Sequence, residues 1–80
     1  MKRNTNSDEF VILMHNIAWL RTHHGLTKIE MAKILGVSVK TLNKIESGVF
    51  PIQLGVSVLA NVYFHFGLRP NVLLAQRLGE

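Results

Sequence analysis

Apolar residues recur along most of this chain at intervals of three and four, the period of a helix buried on one side. Phe10, Leu13, Ile17 and Leu20 share one face of a helix predicted over about Asp8 to His24, with Asn6 or Ser7 as its cap. Asp8 and Glu9 suit the positive end of its dipole, and Gly25 ends it. Thr27 opens the next helix with Glu30 three residues on, the spacing of a capping box. That helix runs to about Leu35 and closes at Gly36. Ser38 caps a third helix, which ends near Glu46, before Gly48. Pro51 cannot continue a helix, so residues 49–52 read as a loop. A fourth helix is predicted from about Leu54 to Phe66, ended by Gly67. A fifth begins at Pro70, a residue tolerated in a first turn, and reaches about Leu78. The β-formers between Val56 and Phe66 would also suit an edge strand. However, the polar Ser57, Asn61 and His65 recur every fourth position, which favours the helix. The expectation is an all-α fold of five helices, with residues 1–6 a flexible tail and residues 7–80 a single domain.

The segment from Thr27 to Gly48 carries the clearest chemistry. Two short helices meeting at a steep angle need particular residues at fixed offsets. Ala32 is small where the helices come closest, and Gly36, four residues later, takes the positive φ of a tight turn cheaply. Met31 and Leu35 anchor the second helix, and Leu42 and Ile45 the third. Lys40, Asn43 and Lys44 then fall on the opposite face of the third helix, pointing away from the core. An α-helix fits the major groove of DNA, where Lys donates to guanine O6 and N7 and Asn pairs with adenine N6 and N7. Val39 is placed to touch a thymine methyl. Lys28, with free amides beside it at the start of the second helix, is placed to hold a phosphate; Thr27 and Thr41 are candidates for further phosphate contacts.

Here the chain resembles the Cro/repressor-type (XRE) helix-turn-helix proteins, which have a lambda-repressor-like fold. The resemblance rests on Leu20-Arg21, Gly25-Leu26-Thr27, Glu30-Met31-Ala32, Leu35-Gly36-Val37-Ser38, Leu42 and Ile45-Glu46-Ser47-Gly48. It extends over roughly Ile17 to Leu74. It implies five helices, of which the second and third form the DNA-binding unit. It also implies a structural ion pair between Arg21 and Glu46, base contacts by Val39, Lys40, Asn43 and Lys44, and a phosphate contact by Lys28. Two positions depart from the family pattern: Lys28 stands where Gln is common, and Val39 is apolar where a polar reader is common.

Composition adjusts this picture in three ways. Nine Lys/Arg against five Asp/Glu give a net charge of +4, a balance that suits an acidic partner such as double-stranded DNA. The absence of cysteine excludes disulfides and thiolate metal sites. The four histidines lack the spacing of a metal site, and no serine lies within a Ser-His-acid pattern, so neither a metal, a cofactor nor an enzyme activity is expected. His24 reads as a helix-end residue and His65 as an exposed one. The longest apolar run, Phe10 to Met14, is too short to cross a bilayer, and Asp8 and Glu9 interrupt a signal-peptide reading, so a cytoplasmic protein is expected.

The apolar content leaves something over. Trp19, with Val11 and Ile12, forms a modest exposed strip opposite the core face of the first helix. The fourth helix is apolar over most of its circumference, and one flank is expected to stay uncovered. A homodimer through the fourth and fifth helices, with Leu73, Leu74 and Leu78 contributing, would use that flank. The reading reached is a repressor-like, sequence-specific transcriptional regulator. The alternative is an antitoxin-like or other protein-binding module that keeps the fold with weak or no DNA binding.

Overall fold

The structure, a computed structural model, describes residues 8–79. The tail over residues 1–6 and the cap assigned to Asn6 or Ser7 lie outside the described residues. Five α-helices follow in order: α1 (Asp8–His23), α2 (Lys28–Leu35), α3 (Val39–Glu46), α4 (Gly55–Phe66) and α5 (Pro70–Ala75). A 3-10 turn over Ile52–Leu54 joins α3 to α4, and no strand occurs among the described residues. The fold is all-α with five helices, as the periodicity predicts.

The core is one cluster fed by every helix. Leu13, Ile17 and Leu20 of α1 meet Met31, Ala32 and Leu35 of α2, Leu42 and Ile45 of α3, Val58 and Val62 of α4, and Leu73 of α5. Phe50, in the stretch read as loop, is buried as well, and its ring stacks on Phe10 at 5.0 Å between centroids. Isolated helices shorter than about 12–15 residues are marginal in water. The eight residues of α2 and the eight of α3 are therefore held by this docking and by their caps. Both halves of the Thr27–Glu30 capping box form, and Ser38 Oγ accepts from the Thr41 amide.

Three expectations need correction. First, the buried arc of α1 is wider than the predicted face. The helix packs against both α3 and α5, so Met14 and Asn16 are buried along with Leu13, Ile17 and Leu20. Secondly, α5 stops at Ala75 instead of reaching Leu78. The cause is Asn16, fully buried on α1. Its Nδ2 donates to the carbonyls of Leu73 and Gln76 at 2.9 and 2.8 Å, and its Oδ1 accepts from the amide of Leu78 at 2.8 Å. These bonds satisfy backbone groups that a longer helix would have paired internally, and Gln76 turns extended at φ −123° and ψ 130°. Thirdly, Trp19 is not a free aromatic. The redirected C-terminal segment lies over it so closely that a Cβ on Gly79 would sit 2.2 Å from Trp19 Nε1. Trp19 also stacks on His23, with ring centroids 4.2 Å apart.

Candidate nucleic-acid interface

The turn between α2 and α3 is set by backbone conformation at Gly36, whose φ of +76° lies in the left-handed region. Its amide closes the end of α2 on the Lys33 carbonyl, and the amide of Val37 returns to Ala32. Asn61 of α4 adds a third closure, donating from Nδ2 to the Leu35 carbonyl at 2.8 Å. On the far side of α3, Arg21 fixes the other end. Its Nε and Nη2 donate to the two oxygens of Glu46 at 2.6 and 3.2 Å, and Nη1 donates to the Leu26 carbonyl at 3.2 Å. One guanidinium thus joins the end of α1, the α1–α2 loop and the end of α3. The bidentate geometry fixes orientation as well as charge.

With both ends held and Leu42 and Ile45 fully buried, the opposite side of α3 is committed to solvent. Lys40, Asn43 and Lys44 are exposed there. Neither lysine amine bonds to another protein group among the described residues. Val39 is half-buried and packs against the core, which leaves only part of its side chain to meet a base. Thr27 is exposed, and its Oγ1 accepts from the Glu30 amide at 3.1 Å. Thr41 is half-buried, and its Oγ1 accepts from the Ser38 hydroxyl at 3.0 Å. Each threonine keeps a hydroxyl proton to give to an outside acceptor such as a phosphate.

Lys28 departs from the simplest expectation. Its amine does not point along the start of α2 toward open solvent. It reaches α3 and donates to Asn43 Oδ1 at 2.7 Å. The two residues are 15 apart in the chain and on different helices, so no helical wheel brings them together. The structure therefore unites Lys28 and Asn43 while leaving Lys40 and Lys44 separate. Ile29, next to Lys28, has no part in the sequence reading; it is 63% exposed on the first turn of α2.

Among the described residues no group of His, Cys, Asp or Glu has the arrangement of a metal site, and no helix is long and apolar enough to cross a membrane. His23, His24 and His65 lie with Trp19 and Phe66 around a surface cavity of about 480 Å³. The Phe66 ring contacts His24 and His65 at 5.1 and 4.8 Å between centroids.

A family model described as helix-turn-helix matches residues 17–60, more than half of the chain. No curated protein and no solved structure matches.

Proposed function

This chain belongs to the Cro/repressor-type helix-turn-helix family, and from that membership we propose a repressor-like, sequence-specific regulator of transcription that binds double-stranded DNA as a homodimer. In this reading α3 enters the major groove. Lys40, Asn43 and Lys44 face the base edges, with the exposed part of Val39 beside them, while α2 braces the unit through Thr27 and, across the turn, Thr41 supplies a phosphate contact. The observation that carries the proposal is the packing and bonding behind the α3 face. Its apolar side is fully buried and its end is tied by Arg21 to Glu46, so the polar side is presented without a change of fold. The net charge of +4 supports attraction to the DNA backbone.

The dimer rests on α4. Val56, Ala60, Tyr63 and Phe64 are exposed on one side of it, Val56 at 85% and Phe64 at 91%. The helix carries no Asp, Glu, Lys or Arg, so like-charge repulsion does not oppose pairing with its own copy. A groove of about 330 Å³ lined by Ala60, Tyr63, Arg69, Pro70 and Asn71 lies beside this stripe and suits the Phe64 ring of a second copy. Leu73, expected to contribute, is fully buried in the protomer and takes no part; Leu74 and Leu78 are half-buried. The second reading, a protein-binding module such as an antitoxin, draws on the same stripe.

Selection from a random pool of DNA duplexes separates the two. The regulator should enrich a palindrome whose half-sites lie about one helical turn, roughly 34 Å, apart. At that site Lys40→Ala and Asn43→Ala should each weaken binding by about 1–3 kcal/mol. No enrichment, together with a stoichiometric protein partner, would replace this reading with the second.

A further inference from the structure

The bond between Lys28 and Asn43 bears on which base the protein reads, and the inference rests on the DNA-binding function proposed above. A carboxamide has one acceptor oxygen and two donor protons, whereas an ammonium has donors only. The oxygen of Asn43 must therefore be the atom that faces Lys28, as found at 2.7 Å. Reading adenine requires that same oxygen to accept from the N6 amino group while Nδ2 donates to N7. The oxygen keeps a second lone pair, but an adenine amino group brought to it would lie beside the Lys28 ammonium, donor against cationic donor. Guanine offers the opposite match, because its O6 and N7 are adjacent acceptors in the major groove. Asn43 Nδ2 keeps both protons, and Lys28 Nζ keeps two after bonding Asn43.

We infer that Lys28 and Asn43 act as one cationic, donor-rich unit that selects guanine over adenine, and that Lys28 is a specificity-determining residue instead of a phosphate clamp. Lys28 is not placed to stabilise its own helix. It is the first residue of α2, at the positive end of the dipole, where a cation is disfavoured. Its side chain is exposed and its amine is bonded to the reading helix. Asn43 without the lysine presents its oxygen and amide to adenine with no ammonium beside them.

The test is the duplex selection repeated at fixed salt with the full chain, Lys28→Met and Asn43→Ala, with circular dichroism confirming that each variant is folded. The full chain should enrich guanine at one position of each half-site, by at least about 5-fold over adenine. Lys28→Met should shift that position to adenine and leave the others unchanged. Asn43→Ala should remove the preference there. Adenine at that position in the full chain would overturn the inference while leaving DNA binding intact. So would a Lys28→Met variant that weakens all sequences equally, with a salt dependence reduced by about one phosphate contact. Failure of the full chain to enrich any duplex would overturn the DNA-binding reading and this inference with it.

Discussion

Gly36 carries more of the helix-turn-helix geometry than any other single residue. Its φ of +76° is a conformation in which an L side chain costs about 1–2 kcal/mol. A Cβ there would also come within 3.1 Å of Asn61 Nδ2, the donor that caps Leu35. Gly36→Ala should therefore destabilise the protein by about 1–2 kcal/mol, read as a lower urea midpoint at unchanged slope. An unchanged midpoint would show that the turn does not depend on this glycine. The glycine could be read in the sequence because its offset from Ala32 is local. The carboxamide that seals the same turn lies 26 residues beyond Leu35, on another helix, and no local pattern announces it. The Arg21–Glu46 pair is similar in kind: it spans 25 residues, and it entered the sequence reading only through the family resemblance.

At the scale of elements, the helices were legible wherever one buried face and a cap determined them, as for α2 and α3. Local periodicity falls short where the buried arc is wider than one face or where a side chain replaces helical hydrogen bonds. α1 shows both effects. Asn16 falls on the same wheel sector as Leu13, Ile17 and Leu20, and a lone carboxamide inside an apolar arc is a signal that a buried polar partner exists. The partner is the C-terminal segment, which is why α5 is short and Trp19 covered. Asn16→Leu fills similar space but leaves the Leu78 amide and the Gln76 carbonyl without their partner. We expect a loss of about 1–3 kcal/mol and faster hydrogen exchange at the Leu78 amide, with the DNA-facing surface unaltered. If that amide stays protected and stability holds, the clamp is not what ends α5. The meeting of Lys28 and Asn43 is likewise not legible in either helix alone. Each was legible as an exposed polar residue on its own helix, but their contact depends on the crossing of α2 and α3.

For the whole molecule, the question is how a 9.0 kDa chain would gain enough affinity and specificity if it reads DNA, as proposed, through the short α3. In the proposed dimer two copies would double the base and phosphate contacts, and a two-fold arrangement would set the half-site spacing. An isologous pairing through α4 would place each Phe64 against the groove beside the other copy's Tyr63, burying two large rings that stand open in the protomer. Buried aromatic anchors of this kind carry about 2 kcal/mol or more at an interface, roughly 30-fold in a dimer dissociation constant. Phe64→Asp is a discriminating substitution. The side chain is 91% exposed, so the protomer's own stability should change by no more than about 0.5 kcal/mol. Sedimentation equilibrium should move the mass toward a single protomer, and affinity for the palindromic duplex should fall toward that for an isolated half-site. Affinity for the half-site itself should not change, because Phe64 lies on α4 and the proposed reading residues lie on α2 and α3. Should the variant keep its dimeric mass and full palindrome affinity, the second copy does not dock on α4, and the stripe would belong to a different protein partner.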